Sequence, residues 1–220
     1  MYRIYINLTN KCNADCPFCC MYSSSNKTTF LDFDKYKEII DKYNEDFELQ
    51  FDGGEPLLCE SLYLFLYYAY NTKRCKKIII TTNGILLNEH LERIIDFANY
   101  SKIPVCVKPS INYWLIEKDN ELIKKCRDLY YAVEFVSYFE IIFNVRLRKN
   151  DDWIIDELKK YRIYDKSNVF YLQSYGRLTN SDYEKPFINK NIDWFELYSC
   201  DGECFGTDLI ARSEYEKELC

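Results

Sequence analysis

The sequence predicts an α/β fold in which a curved parallel sheet forms a partial (β/α)6 barrel, followed by a short cysteine-containing extension. Strand-like and helix-like segments alternate along most of the 220 residues, and such alternation builds βαβ units with right-handed crossovers. Three unusual loops follow the first three strands, and loops at this end of a parallel sheet form active sites. We therefore expect a barrel core over residues 1–178 and an extension over residues 179–220.

Six segments have the composition of strands. They are Tyr2–Leu8, Phe47–Asp52, Lys77–Thr82, Pro104–Ser110, Phe139–Leu147 and Val169–Ser174. Side chains of a strand alternate between two faces, and in the fifth segment one face is apolar while the other carries Asn144 and Arg146. If the apolar face lies under helices, the polar face points into the barrel. By the same parity the inward set adds Asn7, Gln50, Asp52, Lys108 and Ser110.

A polar interior distinguishes this barrel from a closed eight-stranded one, whose interior is filled with bulky apolar side chains. It predicts an open barrel that holds a substrate or cofactor along its axis. The alternative is that some of these polar residues face solvent at strand ends.

Between the strands, apolar residues recur at the i, i+3, i+4, i+7 spacing of amphipathic helices. The patterns are Tyr36, Ile39, Ile40 and Tyr43; Leu91, Ile94, Ile95 and Ala98; and Ile154, Ile155 and Leu158. Polar residues that suit helix N-caps open them, namely Asp34, Asn88 and Asp151. These helices are expected to cover the apolar face of the sheet.

Composition and charge argue against several kinds of partner. The net charge is −6, and Lys and Arg are scattered among Asp and Glu, so no basic stripe is available to hold a nucleic-acid backbone. No run is apolar enough to span a bilayer, and the N-terminus lacks the regions of a signal peptide. The odd number of eleven cysteines argues against a disulfide framework. We expect a cytoplasmic protein without nucleic-acid or membrane partners.

A cysteine loop follows the first strand, with Cys12, Cys16 and Cys19 spaced by three and then two residues. Soft thiolates on one tight loop suit an iron–sulfur cluster, and three ligands leave one iron of a four-iron cluster open to a small molecule. The alternatives are unligated cysteines or a structural zinc site, for which three cysteines and a single His in the chain make a poor closed ligand set. Cys20 keeps a second spacing open, because it also follows Cys16 by three intervening residues.

Two further loops follow the second and third strands. In Asp52-Gly-Gly-Glu-Pro56 the glycines let the backbone approach a ligand closely, and Glu55 is able to accept charge-assisted hydrogen bonds from an ammonium group. In Thr81-Thr-Asn-Gly84 the polar candidate is Asn83. Each segment also reads as an ordinary turn, and Asn83 equally as a helix cap.

The spacing of Cys12, Cys16 and Cys19 resembles the signature of the radical S-adenosylmethionine (radical SAM) superfamily, and Phe18 matches the aromatic residue usual before the third cysteine. Phe18 thus favours Cys19 over Cys20 as the third ligand. The resemblance implies a partial TIM-like barrel, a [4Fe-4S] cluster on these three cysteines, and S-adenosyl-L-methionine bound at the open iron. It further implies anaerobic chemistry, an electron donor such as flavodoxin or ferredoxin, and a 5′-deoxyadenosyl radical that abstracts hydrogen from a substrate.

The resemblance also assigns contacts with the cofactor. Gly53, Gly54 and Glu55 match the segment that holds the methionine amino group, and Asn83 lies where a polar side chain meets the nucleoside. Ser110 is a candidate for the ribose, in competition with Lys108 and Asn112, and Asn144 and Arg146 are candidates for ribose or carboxylate contacts.

Cysteines near the end raise the question of a second iron–sulfur cluster. Cys200, Cys204 and Cys220 resemble the opening of a SPASM or twitch domain, which binds auxiliary clusters, although Tyr215 stands where the pattern has Gly. In one interpretation the three thiolates hold a second cluster with an open iron. In the others they are a remnant, or another chain completes the site.

The substrate is the least determined part of the prediction. Tyr175-Gly-Arg177 resembles a Gly-Arg turn of superfamily members that modify peptides, and with the late cysteines it favours a ribosomally made peptide, or a protein, as the substrate. A second hypothesis is an activase that plants a glycyl radical on a larger partner protein, which leaves the late cysteines unexplained. The non-enzymatic alternative is an iron–sulfur redox sensor or electron carrier, which has no need for the loop at residues 53–56.

Overall fold

The computed structural model describes residues 1–179, 182–186 and 194–219. The chain divides into two compact units: unit 1 comprises Met1–Thr81 and Gln173–Cys220, and unit 2 comprises Thr82–Leu172. The C-terminal stretch therefore groups with the beginning of the chain, while the predicted boundary at residue 178 stays a prediction. No helix among the described residues is long and apolar enough to cross a membrane.

Strands and helices alternate along the chain, as the sequence predicts. The strands are β1 (Tyr2–Asn7), β2 (Phe47–Asp52), β3 (Cys75–Thr82), β4 (Val105–Asn112), β5 (Phe139–Ile141), β6 (Phe143–Leu147), β7 (Ser167–Tyr171) and β8 (Phe195–Tyr198). The helices are α1 (Phe33–Asp41), α2 (Leu62–Asn71), α3 (Leu87–Ser101), α4 (Tyr113–Lys118), α5 (Leu122–Val133), α6 (Asp152–Lys160) and α7 (Leu209–Glu218). Short 3-10 turns occupy Pro56–Leu58 and Tyr164–Lys166.

Unit 1 contains a parallel sheet in the order β3-β2-β1-β8. Ile6 and Phe51 are register partners on β1 and β2, and both are fully buried. Tyr36 of α1 packs near Phe51 and stacks on Phe65 of α2 with ring centroids 4.5 Å apart. Because neighbouring residues on a strand point to opposite faces, this aromatic core leaves the second face of β1 and β2 for polar side chains. Strand β8 lies outside the predicted set, because four residues give too short a pattern.

In unit 2, β4 pairs in parallel with β5 and β6, and β6 pairs with β7. The predicted fifth strand is two strands, interrupted at Ile142, whose N–H donates to the Val107 carbonyl at 3.1 Å. The predicted alternation holds in β6, where Val145 is buried while Asn144 and Arg146 are half-buried. The sixth predicted strand is displaced, since β7 begins at Ser167 and ends three residues before the predicted end.

The prediction of helix starts is wrong in detail. Asp32, and not Asp34, is the N-cap of α1, because Asp32 has the extended backbone of a cap and its Oδ1 accepts from two first-turn N–H groups at 2.8 and 3.2 Å. Helix α3 begins without a side-chain cap, so Asn88 lies inside its first turn. Asp151 precedes α6 as predicted, but its carboxylate binds the Arg148 backbone N–H and guanidinium instead of the helix.

Candidate active site

The cysteine loop, residues 9–22, follows β1 directly. Cys12 is buried, Cys16 and Cys19 are half-buried, and none of the cysteines that the structure describes forms a disulfide. The Cys19 N–H donates to the Cys16 carbonyl at 3.2 Å, so the loop folds back on itself. Burial, together with the neighbouring Cys20 and Cys12 thiols, raises the pKa of Cys19 to about 12. The three predicted ligands lie on one loop and are the soft thiols that suit a metal cluster, which they bind once deprotonated. Within the described residues no three His, Cys, Asp or Glu side chains already converge on a metal ion, so this ligand set stays a prediction.

The loop after β2 packs its backbone against the cysteine loop. The Gly54 N–H donates to the Thr9 carbonyl at 2.6 Å, and the Glu55 N–H donates to the Lys11 carbonyl at 2.8 Å. A Cβ on Gly53 would lie 2.5 Å from the Thr9 carbonyl oxygen, and one on Gly54 would overlap the Lys11 carbonyl. The two glycines therefore make room for the backbone of the cysteine loop, and their contact with a cofactor stays a prediction.

Glu55, the residue that follows Gly54 in the loop after β2, is fully buried. Its Oε1 accepts a hydrogen bond from the Leu57 N–H at 3.1 Å and so caps the 3-10 turn Pro56–Leu58. A buried carboxylate is stable only with hydrogen bonds or a positive partner. The position is therefore compatible with the predicted role toward an ammonium group, which stays a prediction.

A Gly-Arg turn holds the cysteine loop from another direction. Arg177 donates its backbone N–H to the Cys19 carbonyl at 3.0 Å, Nη1 to the Cys16 carbonyl at 3.1 Å and Nη2 to the Tyr22 carbonyl at 3.0 Å. Gly176 has a φ of +66°, and a Cβ there would lie 2.5 Å from the backbone of the cysteine loop. Sequence reasoning singled out this turn by resemblance alone, whereas its contacts show that it orders the loop.

Replacing Arg177 with Lys should loosen the cysteine loop without unfolding the protein. A single ammonium cannot reproduce the planar fork that reaches two carbonyls, and the loss of a hydrogen bond from a charged group costs about 1.5–3 kcal/mol. We expect a chelator to remove iron from the reconstituted variant faster than from the wild type, with an unchanged far-UV circular dichroism spectrum. Arg127→Lys, at an exposed ion pair, is the control. Equal rates of iron loss would contradict the role of Arg177.

Polar side chains occupy the second face of β1 and β2, opposite the aromatic core. Asn7 and Asp52 are register partners, and Gln50 lies two residues before Asp52. Gln50 donates from Nε2 to Asp52 Oδ1 at 3.1 Å and to Thr81 Oγ1 at 3.3 Å. Asn7 Oδ1 and Gln50 Oε1 are buried and have no hydrogen-bond partner in the described part of the chain. Because buried polar atoms are normally paired, these acceptors fit a polar ligand beside the cysteine loop.

Helix α7 packs against the cysteine loop. Ser213 Oγ donates to the Cys20 carbonyl, and the Tyr22 hydroxyl donates to Glu214 Oε1 at 3.3 Å. Near the end of the helix, Lys27 Nζ donates to the Lys217 carbonyl at 2.9 Å, where a cation complements the helix dipole. Sequence analysis misses these contacts, because no local pattern encodes pairs that lie 190 or more residues apart.

The late cysteines have different surroundings. Cys200 is fully buried, and its backbone N–H and Sγ donate to Glu216 at 2.9 and 3.1 Å, while Glu216 also accepts from Asn7 Nδ2 at 2.7 Å. Burial and the Glu216 charge raise the pKa of Cys200 well above its usual range. Cys204 is exposed, and Cys220 lies outside the described residues. Within those residues no three His, Cys, Asp or Glu side chains converge on a single metal ion, and the auxiliary cluster stays a prediction.

In unit 2, the predicted ribose and carboxylate contacts share one sheet face. Ser110 of β4 and Asn144 of β6 are register partners, and Arg146 follows two residues along β6. The Arg146 guanidinium lies 4.5 Å from the Phe170 ring centroid, and its Nη1 is buried without a partner among the described residues. Asn112, the competing candidate, is committed to the fold, since its Oδ1 accepts from a first-turn N–H of α4 at 3.0 Å.

Asn83 lies in a turn, as predicted by the alternative in which it is an ordinary turn residue and not a cofactor ligand. Its Oδ1 accepts from the Ile85 N–H at 2.9 Å, and the intervening Gly84 has a φ of +86°. A side-chain oxygen that bonds the backbone two residues on is typical of an Asx turn. The predicted contact of Asn83 with a nucleoside stays a prediction.

Comparison with known proteins identifies relatives of this chain. Residues 6–105 match the family model of the Radical SAM superfamily. The chain is 30% identical to the GTP 3',8-cyclase of Aquifex aeolicus (strain VF5) over 165 residues, which cover 69% of this chain and 50% of that protein. It is 30% identical to the S-adenosylmethionine-dependent nucleotide dehydratase of Selenomonas ruminantium over 114 residues, 50% of this chain and 40% of that protein. The chain thus spans about half the length of the curated relatives it matches.

Solved structures share the fold. Streptococcus suis SuiB bound to the precursor peptide SuiA aligns with a TM-score of 0.68 at 14% identity, covering 100% of this chain and 61% of that chain. Native anSMEcpe with bound AdoMet and Cp18Cys peptide aligns with a TM-score of 0.51 at 17% identity, covering 87% of this chain and 54% of that chain. At these identities the likeness shows the fold alone, and it confirms the predicted partial (β/α) barrel.

Proposed function

The chain belongs to the radical SAM superfamily, and from that premise we propose that it cleaves S-adenosyl-L-methionine reductively at a [4Fe-4S] cluster. Cys12, Cys16 and Cys19 would hold the cluster. When bound, the cluster and the cofactor supply a 5′-deoxyadenosyl radical that abstracts hydrogen from the substrate. The observation that carries the proposal is the way in which the loop after β2, Arg177 and α7 together order the cysteine loop.

The residues around this loop contribute binding, orientation and exclusion of water. We assign the methionine ammonium group to Glu55, because the segment Gly53–Glu55 resembles the one that holds this group in the superfamily and a carboxylate accepts charge-assisted hydrogen bonds from an ammonium. The unpaired oxygens of Asn7 and Gln50 accept hydrogen bonds from a ligand, and their burial keeps water from a reactive intermediate. The remaining candidates for nucleoside, ribose and carboxylate contacts are Asn83, Ser110, Asn144 and Arg146.

Glu55→Gln tests the assignment of the ammonium group. Gln keeps an oxygen that accepts from the Leu57 N–H, so the turn should stay intact while the charge is lost. Loss of a charge-assisted hydrogen bond should weaken S-adenosylmethionine binding about tenfold or more, with the iron content unchanged. Equilibrium dialysis with the reconstituted protein measures the affinity, and Glu60→Gln at the neighbouring exposed position is the control. An unchanged affinity would show that Glu55 serves only the fold.

For the substrate we propose a ribosomally made peptide. The Gly-Arg turn at residues 175–177 and the late cysteines, which resemble the opening of a SPASM or twitch segment, support it. A nucleotide is the second candidate, favoured by the 30% identity with a GTP 3',8-cyclase over 69% of the chain. The activase hypothesis has no observation of its own in its favour, and relatives named as enzymes argue against a redox sensor or electron carrier.

The proposal is tested by anaerobic reconstitution with iron and sulfide, followed by an assay for 5′-deoxyadenosine from S-adenosylmethionine under reducing conditions. Product that depends on the three cysteines supports the proposal, and a triple Cys→Ala variant is the control. Candidate peptides and GTP are then added separately. A mass change on a peptide supports the first substrate, consumption of GTP supports the second, and absence of 5′-deoxyadenosine under all conditions counts against radical SAM chemistry.

A further inference from the structure

Helix α7 carries a buried guanidinium that lacks partners. Arg212 is 4% exposed, and its Nε and Nη1 have no hydrogen-bond partner among the residues that the structure describes. Within the same residues Arg212 forms no ion pair. A charged side chain is almost never fully buried unless it is paired, because the loss of hydration costs several kcal/mol. The uncompensated donors of Arg212 therefore point to a ligand of opposite charge.

The backbone around Arg212 is fixed, so the guanidinium has a defined place. The Asp208 side chain caps the start of α7 by accepting from two N–H groups at 3.1 and 2.9 Å. The next residue, Ser213, donates to the Cys20 carbonyl, and Glu216 one turn later accepts from Asn7 on β1. The face of α7 that carries Arg212 thus lies inside unit 1 and beside the cysteine loop.

Two acidic side chains of unit 1, Asp52 and Glu216, form no ion pair with Arg212 in the described part of the chain. Burial raises the pKa of Tyr5, and the charge of Arg212 opposes that rise, so the guanidinium lies within electrostatic range of the inner face of β1. Asp52 on the neighbouring strand also acts on Tyr5, and its Oδ1 accepts from Gln50. Glu216 follows Arg212 by four residues on α7, but its carboxylate oxygens accept from Asn7 and Cys200.

We propose that Arg212 binds an oxyanion of the substrate, a carboxylate or a phosphate, inside unit 1. This rests on the proposed function and narrows its substrate class. The guanidinium matches both kinds of oxyanion in shape and charge, and a buried pairing of this sort is strong. The unpaired oxygens of Asn7 and Gln50 lie on the inner face of the same unit and add acceptors for N–H or O–H groups of the ligand. The substrate therefore carries both an oxyanion and hydrogen-bond donors.

The test compares Arg212→Gln with Lys217→Gln, which removes the same charge from the exposed side of the same helix. The probes are GTP, inorganic pyrophosphate, and a glutamate-rich peptide with its glutamine-containing counterpart, each titrated calorimetrically into the full reconstituted chain. We expect an oxyanion probe to bind the wild type and Lys217→Gln with equal affinity, and Arg212→Gln about tenfold or more weakly. The phosphate and peptide probes identify the source of the oxyanion.

The proposal would be overturned by binding that Arg212→Gln leaves unchanged, or by no binding of any oxyanion probe to the wild type. Equal losses of affinity in Arg212→Gln and Lys217→Gln would also overturn it, since they indicate a general charge effect.

Thermal unfolding of Arg212→Met without any probe distinguishes ligand binding by Arg212 from a purely structural role. A melting temperature that is unchanged or raised is expected for an unpaired guanidinium, and a clear fall would mean that Arg212 only holds α7. Failure of the wild type to form 5′-deoxyadenosine counts against the proposed function, and the titrations remain a separate result.

Discussion

Cys19→Ala is expected to abolish the cluster and all cleavage of S-adenosylmethionine, whereas Cys20→Ala is expected to retain both. The two residues are adjacent and both half-buried, so exposure does not distinguish them. The hydrogen bonds of their backbone carbonyls distinguish the two residues, because the Cys19 carbonyl accepts from Arg177 while the Cys20 carbonyl accepts from Ser213. Gly176 lies so close to Cys20 that a Cβ there would be 2.5 Å from its Cα. Cys20 therefore cannot take the place of Cys19 without breaking contacts on both sides.

Cys19→Ala removes one of the three predicted thiolate ligands, so we expect no stable cluster and no detectable 5′-deoxyadenosine. Iron and sulfide content, visible absorbance and 5′-deoxyadenosine formation measure these losses. Circular dichroism of the iron-free protein checks that both variants fold. The reverse pattern, with activity kept in Cys19→Ala and lost in Cys20→Ala, would reassign the third ligand to Cys20 and void the argument from Phe18.

The local part of the site is predictable from the sequence. Three cysteines with a fixed spacing, the loop with Gly53 and Gly54, and the polar parity of β6 are patterns within short windows. The structure places the two loops directly after β1 and β2 and shows the alternation in β6, while the roles of the residues toward a cofactor stay predictions. The sequence predicts only part of the structural role of Gly53 and Gly54. The missing side chains predict that something approaches the glycines closely. Only the pairing of β1 with β2 shows that the approaching group is the backbone of residues 9–11.

The distant part of the site is not predictable from one sequence. The side-chain contacts of Arg177 with the cysteine loop join residues 155 and 161 positions apart, and those of α7 join residues 190 or more positions apart. No periodicity or spacing records such pairs. A weak signal exists for Arg212 and Glu216, since two charges four residues apart share one face of a helix, but a sequence equally allows that face to be solvated. Only tertiary packing reveals that this face is buried.

Gly54→Ala should destabilise the protein and disable the site together. A methyl group at this position overlaps the Lys11 carbonyl, and the overlap is with backbone, which cannot rotate away. Relief requires the hydrogen bonds from Gly54 to Thr9 and from Glu55 to Lys11 to stretch or break. Overpacking costs about 1–3 kcal/mol and each lost bond about 0.5–1.5 kcal/mol, so we expect a loss of about 3 kcal/mol or more. For a chain of this size that lowers the melting temperature by about 6–12 °C.

Gly206→Ala separates steric overlap from backbone strain. Gly206 has a φ of +53°, so Ala there bears the cost of the left-handed conformation, about 1–2 kcal/mol, but its Cβ meets nothing within 4 Å. The control should therefore lose less stability than Gly54→Ala and keep cluster content and 5′-deoxyadenosine formation. In Gly54→Ala the same methyl group pushes on the loop that carries the predicted ligands, so iron retention should fall even at temperatures where the variant is folded. Equal stability losses with an intact cluster in both variants would mean that the loop after β2 supports the fold without setting the geometry of the cysteines.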